Sequence, residues 1–320
     1  MALFSADSTA EDVVAHFSDS ACLGRTFLVT GARCGLGYEI VRALANGGAK
    51  RVLAVVRPTT AVEIEAGHGG HKDTEVVSLE CDLASCASVR RLVEMFKSKK
   101  QWGKIDTLIL NAAVQVPELE VVCEAHMDFR SNFSDELPEH LEGIELQMMT
   151  NHLGHFLLTR LMQPHMADPC RVVVVSSDTH KLARDAKRVG HFFERWGPQN
   201  KYHPLLAYAE SKLANILFVR ELQRRALPGL LALAASPGVV PGTGLGRHMQ
   251  RSASVTQSGD SSRNADVEHR ESSTQRANLV TKTTAQGAAT VLFCVLAPAD
   301  CLTGGAYYAD FVEAKASKLA

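Results

Sequence analysis

Short runs of consecutive apolar, β-branched residues alternate along the chain with longer stretches in which apolar positions recur every three or four residues. The short runs predict strands at 26–30, 52–56, 75–80, 107–110, 172–176, 230–235 and 306–309. The longer stretches predict helices at 36–46, 85–97, 139–162, 206–226 and 285–296. Val172 to Val175 is four valines in a row. A strand apolar on both faces belongs inside a parallel sheet covered by helices on each side. Regular strand–helix alternation predicts an α/β fold, a doubly wound parallel sheet of about seven strands in a single domain spanning 1–320.

Two stretches break the pattern. Residues 59–73 are rich in Gly and His and read as loop. Residues 250–276 are Ser, Asn, Asp and Arg with little apolar content. Such a segment buries too little surface to offset its ordering entropy, so it is expected to be a mobile polar loop, with a short solvated helix as the alternative.

Composition narrows the class. The 34 Lys and Arg balance 35 Asp and Glu, which argues against a partner bound by neutralising nucleic-acid phosphates. The eight Cys show neither CxxC nor zinc-finger spacing, so a reduced intracellular protein fits better than a disulfide framework. The first 24 residues contain acids and no Lys or Arg, unlike a secretory or transit peptide. Pro228, Pro237 and Pro241 interrupt the uncharged run at 226–246, so no membrane span is expected. Ala320 follows Ser317-Lys318-Leu319 and removes a terminal peroxisomal signal. The expected location is cytoplasmic.

Candidate chemistry begins where the first strand runs into Thr30-Gly31-Ala32-Arg33-Cys34-Gly35-Leu36-Gly37 and a helix follows. Gly31 allows a sharp turn, Gly35 close approach of backbone to a pyrophosphate, and Gly37 close packing of helix on sheet. The helix N-terminus favours the anion. This is a Rossmann-type dinucleotide site. An enzyme using NAD usually ends its second strand with an acid that bonds the ribose 2′-OH. Here the strand ends in Arg57, and Arg33 lies in the turn itself. Guanidinium groups suit a 2′-phosphate, so NADP(H) is the expected cofactor.

Tyr208 and Lys212 stand four apart on a predicted helix, on one face. A phenol there can donate the proton that carbonyl reduction needs, and a nearby ammonium stabilises the phenolate. Moving the phenol from about 10 to about 7 takes ~3 units, or ~4 kcal/mol of differential interaction. Ser176 and Ser177 end the valine strand, at the sheet edge where α/β ligands sit. One hydroxyl can hold the substrate carbonyl; Ser176 is read as a turn cap. His152 and His155 are three apart with no third ligand in register, so no metal is expected.

TGxxxGxG at the first strand–helix turn resembles the classical short-chain dehydrogenase/reductase superfamily. NHLGHFLLTRL, RVVVVSSDTHK, AYAESKLANILFVREL, SPGVV and TTAQGAAT…GGAYYAD resemble its retinol dehydrogenase and WW-domain oxidoreductase branch. The resemblance implies Ser177, rather than Ser176, as the substrate-orienting serine. It implies Asn151 in a central helix, holding a water that relays protons to Lys212. It also implies adenine contacts at Asp82 and Leu83, close cofactor packing at Asn111-Ala112-Ala113, and a nicotinamide-side turn at Pro237-Gly238-Val239. Leu36 joins the phosphate turn. Ala113 replaces the family's usual Gly, and extra residues displace Thr243 from its expected cofactor contact. Residues 250–276 fall near the family's substrate lid and lack the aromatic and aliphatic side chains of a retinoid pocket, so poor retinoid turnover is expected.

The expected function is an NADP(H)-dependent oxidoreductase acting on a small carbonyl or alcohol substrate, homodimeric by family analogy. Protochlorophyllide reductases share Asn111-Ala112-Ala113-Val114 and Thr150-Asn151-His152, but that family has Cys where this chain has Val239. The other alternative is a redox-sensing scaffold that binds NADP(H) with little turnover.

Overall fold

The computed structural model describes residues 3–17, 21–58, 73–122, 143–183, 202–225, 228–241, 243, 245 and 280–320. The predicted loop at 250–276 and most of 59–73 lie outside the described residues. In chain order the elements are α1 (Ala10–Phe17), β1 (Thr26–Thr30), α2 (Gly35–Asn46), β2 (Arg51–Val56), β3 (Glu75–Glu80), α3 (Cys86–Ser98) and β4 (Ile105–Leu110). There follow β5 (Val121–Val122), β6 (Ile144–Glu145), α4, β7 (Met166–Val175), α5 (Pro204–Arg224), β8 (Leu230–Ser236), α6 (Thr284–Leu296), β9 (Tyr307–Ala309) and β10 (Val312–Glu313). Helix α4 has three parts: Leu146–Met148, a π-helical turn Met149–Leu153, and Gly154–Met162.

The main sheet has the order β3-β2-β1-β4-β7-β8-β9-β10. Seven strands run parallel and β10 pairs antiparallel with β9 at one edge. Strand order reverses between β1 and β4, and a crevice opens beyond the carboxyl ends of those strands. Alternate side chains feed two cores. Leu28, Leu53, Leu108, Val172, Val174 and Ala232 face α3, α4 and α5. Phe27, Val29, Val52, Ile109, Val173 and Leu233 face α1, α2 and α6. Val172 to Val174 are wholly buried, as a strand covered on both faces requires.

One charge is buried between layers for a clear reason. Arg171, on β7, donates Nη1 to the carbonyls of Cys294 (3.1 Å) and Val295 (2.8 Å) and Nη2 to that of Ala297. These are carbonyls that the end of α6 leaves without helical partners, at the helix's negative pole. Only a planar, multi-donor cation serves three of them at once.

The structure corrects the sequence reading at three places. Helix α1 was not expected, although Thr9 and Asp12 form reciprocal capping bonds at its start (Thr9 N to Asp12 Oδ2, 2.8 Å; Asp12 N to Thr9 Oγ1, 3.3 Å). The helix predicted at 139–162 begins at Leu146 because the Glu145 carboxylate accepts from Met148 N at 2.8 Å and caps it there. Ile144–Glu145 instead pair antiparallel with Val121–Val122, while 139–142 lie outside the described residues.

Candidate active site

At the end of β1 the backbone turns through Gly31 at φ +68°. A Cβ on Gly37 would stand 2.2 Å from the Gly31 carbonyl oxygen and 2.6 Å from Asn111 Nδ2. Only glycine lets α2 enter this close to the sheet. The N-cap of α2, Cys34, supplies no side-chain cap bond, and the first turn carries no acid. The first amides of α2 and its positive pole are thus available to an anion.

Thr30 fixes the floor of the turn. Its hydroxyl accepts from Asn111 N (2.9 Å) and Ala112 N (3.1 Å), and Asn111 Nδ2 returns a bond to the Thr30 carbonyl at 2.9 Å. His155 Nδ1 lies 3.1 Å from the Asn151 carbonyl and must donate to it, so Nε2, 2.8 Å away, accepts the Thr30 hydroxyl proton. Burial lowers the His155 pKa to about 3 and keeps the ring neutral in this role. Sequence reasoning weighed His155 only as a metal ligand and missed this hub, which joins positions about 80 and 125 residues apart.

A cavity of about 510 Å³ runs from this turn across the carboxyl ends of the strands. Gly31, Arg33, Gly35, Leu36, Gly37, Arg57, Asp82, Leu83, Asn111, Ala112, Ala113, Pro237, Gly238 and Val239 all line it. So do Ser177, Tyr208 and Lys212. Thr243 lines it too, and its Cα would lie 3.5 Å from a Cβ on Gly35. The extra residues therefore do not displace Thr243: the chain returns it against the glycine turn.

Tyr208 and Lys212 share one face of α5, with the Lys212 Nζ 5.5 Å from the Tyr208 ring centre. Nζ donates to the Val175 carbonyl at 3.0 Å. Burial pushes the Tyr208 phenol above its ordinary pKa, while a hydrogen bond from Ser177 opposes that rise. Desolvation, which disfavours the phenolate, is the largest influence on this phenol, and the sequence expectation of a lowered pKa left it out.

Both serines hold the chain as it leaves β7, and the capping bond falls to Ser177 rather than Ser176. Ser177 caps the turn Asp178–Leu182, accepting from Thr179 N at 3.2 Å, and its Oγ lies 3.0 Å from Thr179 Oγ1. Ser176, read as the cap, instead donates to the Lys212 carbonyl at 2.9 Å and ties β7 to α5.

Asn151 is the candidate outside the cavity lining. It sits in the π-helical turn of α4, fully buried. Its Oδ1 accepts from Val114 N (2.8 Å), and Nδ2 donates to the Val114 carbonyl and to Ser211 Oγ (3.0 Å each). Both amide hydrogens are taken, so the side chain braces the segment after β4 against α5.

The short chain dehydrogenase family profile matches residues 25–187, which include the glycine turn, Asn151 and Ser177. The chain belongs to that family. The chain is 33% identical over 292 residues to a WW domain-containing oxidoreductase of Danio rerio, a match covering 89% of this chain and 61% of that protein. Over 245 residues it is 32% identical to retinol dehydrogenase 12 of Mus musculus, covering 72% of this chain and 68% of that one. Among solved structures, the NADPH-dependent 3-quinuclidinone reductase of Rhodotorula rubra superposes with a TM-score of 0.61 at 19% identity, covering 91% of each chain. This chain thus spans about three-fifths of the length of the WW domain-containing oxidoreductase. No helix among the described residues is long and apolar enough to cross a membrane.

Lys212 makes the dehydrogenase fold pH-dependent in a predictable direction. Burial lowers its pKa from 10.5 to about 7. Between those values the unfolded chain binds a proton that the native state lacks, so this group's contribution to stability rises with pH. Below pH 7 both states are charged and the full penalty of the buried ammonium remains. Lys212→Met is therefore expected to raise Tm most at about pH 6 and progressively less toward about pH 10. Thermal melts of both proteins across that range test this; a gain independent of pH contradicts it.

Proposed function

We propose that this chain is an NADP(H)-dependent oxidoreductase that interconverts a carbonyl and an alcohol, with Tyr208 as proton donor. One observation carries the reading: Ser177, Tyr208 and Lys212 line the same cavity as the glycine turn and Arg57. The residues fit the cofactor, because the glycine-floored turn and the uncapped start of α2 form a cradle that stays closed only while Gly37 carries no Cβ. The α2 amides would hold the pyrophosphate, Arg57 and Arg33 the 2′-phosphate, and Asp82 and Leu83 the adenine. Asn111-Ala112-Ala113 would line the path to the ring, with Pro237-Gly238-Val239 on the nicotinamide side.

The bound nicotinamide supplies or accepts the hydride. Burial keeps Tyr208 protonated, the form that donates to a carbonyl oxygen. Ser177 orients that oxygen beside the phenol. The Lys212 ammonium, on the same helix face, stabilises the phenolate that donation leaves. The expectation of poor retinoid turnover rests on 250–276, outside the described residues, and the carbonyl class is left broad accordingly.

Calorimetric titration tests the cofactor assignment. Wild type is expected to bind NADPH more tightly than NADH, and Arg57→Ala to weaken NADPH by ~10–100-fold while leaving NADH nearly unchanged. Equal affinity of wild type for the two dinucleotides sinks the NADP(H) assignment.

A further inference from the structure

His180 is wholly buried one turn beyond Ser177 and has no part in the chemistry described above. The Ser177 carbonyl accepts two bonds from this one residue: the His180 backbone N–H at 3.0 Å and the ring Nδ1 at 2.7 Å. A carbonyl only accepts, so Nδ1 carries the proton. On the far side of the ring, Ser317 N lies 3.0 Å from Nε2. A backbone amide only donates, so Nε2 carries a lone pair. The two neighbours thus select one neutral tautomer independently and agree. The ring also packs edge-on against Tyr307, with centroids 5.0 Å apart. The segment that holds Ser317 is itself anchored. Ala314 N donates to the Tyr307 carbonyl at 2.8 Å, and Ala316 and Leu319 pack on the core.

We propose that His180 is a positioning residue for Ser177, a rigid link through which the segment around Ser317 fixes the serine that orients the substrate carbonyl. The inference rests on the oxidoreductase reading of Ser177 above. Ser177 lies two residues past Val175, the end of β7, and one past Ser176, whose N–H makes the last bond to β8 (Ala235 carbonyl, 2.8 Å). Its hydroxyl oxygen accepts from Thr179 N, a bond within the same turn. What holds its backbone on the far side is the doubly bonded carbonyl, and one of those two bonds comes from the imidazole. A displacement of about 1 Å in an orienting group lowers turnover by up to ~10²-fold without removing any reacting atom.

The experiment separates positioning from general structural support. Turnover is followed as NADPH oxidation with nonanal, benzaldehyde and cyclohexanone as probes, beside NADPH affinity and Tm. His180→Ala is expected to lower kcat by ~10–50-fold with NADPH affinity within ~3-fold of wild type. His180→Asn places an amide N–H where Nδ1 stands, and is expected to recover most of the loss. In a Ser177→Ala background, His180→Ala is expected to add less than ~3-fold, because its effect passes through a hydroxyl already removed. Should His180→Ala fail to fold, Ser317→Pro removes the amide that Nε2 accepts, and is expected to lower kcat with NADPH affinity kept. Ring ¹⁵N spectra of wild type are expected to show His180 protonated at Nδ1.

Wild-type kcat in His180→Ala or, where that fails to fold, in Ser317→Pro overturns the proposal. So does absence of rescue by Asn, parallel loss of NADPH affinity and Tm, or a ring protonated at Nε2. If Ser177→Ala and Tyr208→Phe also turn over like wild type, the oxidoreductase reading itself has failed. If those two lose turnover while His180→Ala keeps it, only the link to His180 has.

Discussion

Replacing Tyr208 with Phe is expected to lower carbonyl turnover by ~10²–10⁴-fold, the range over which one positioned proton donor acts. The change removes a single oxygen and leaves the ring, which packs at 6% exposure beside Lys212, in place. Neither core loses volume, so Tm is expected to stay within a few degrees, and NADPH affinity within ~3-fold. The measurement is single-turnover NADPH oxidation with the same carbonyl probes for both proteins. A large loss at constant NADPH affinity assigns the proton to Tyr208. If both proteins oxidise the cofactor equally slowly, the chain is a redox-sensing NADP(H) scaffold, and the catalytic reading of Ser177 and Lys212 falls with it.

Gly37→Val is expected to abolish dinucleotide binding and to destabilise the fold by ~3 kcal/mol or more. The added Cβ would meet the Gly31 carbonyl oxygen at 2.2 Å and the Gly31 carbonyl carbon at 2.8 Å. Both are backbone atoms of the turn itself and cannot swing aside as a side-chain end would. Relief requires α2 to back away from β1, which opens the cradle. Gly103 provides the contrast, since a Cβ there meets nothing within 4 Å and only its φ of +72° resists substitution. Gly103→Ala should cost ~1–3 kcal/mol and leave NADPH binding intact. Denaturant midpoints and calorimetric titration of the two variants separate crowding from backbone strain. Wild-type NADPH affinity in Gly37→Val would mean that the turn is not the binding cradle.

The parts of this fold legible in the sequence are those where one local cause dominates. Val172 to Val175 announce a doubly covered strand because each face must be apolar. The spacing of Gly31, Gly35 and Gly37 announces the tight turn after β1, because Gly31 and Gly35 sit at positive φ and a Cβ on Gly31 or Gly37 would meet backbone at 2.8 or 2.2 Å. Helix α1 has only eight residues, about two turns, and its Thr9–Asp12 capping pair is a weak signal beside so short an apolar pattern. Strands β5 and β6 have two residues each, too few for any alternation to register. At the site, identity was legible and geometry was not. Nothing local distinguishes a serine that caps from one that ties two layers, so the roles of Ser176 and Ser177 waited on the position of α5. Asn151 was correctly singled out as an unusual mid-helix residue, yet its partners, Val114 and Ser211, lie 37 and 60 residues away. The Tyr208 shift was reasoned from charges alone, whereas the burial that opposes them belongs to the packed structure.

The π-helical turn at Met149–Leu153 has a consequence for insertions and deletions in this region. Such a turn accommodates one residue more than an α-helix uses over the same rise. Loss of one residue there would leave a regular helix, intact by every local measure, with its upstream part rotated by about 100° relative to the rest. The Asn151 amide would swing off Val114, and the strap that follows β4 would lose its fastening without a single core side chain having changed. A frame-preserving codon loss at this point would thus disable the crevice while sparing the scaffold around it.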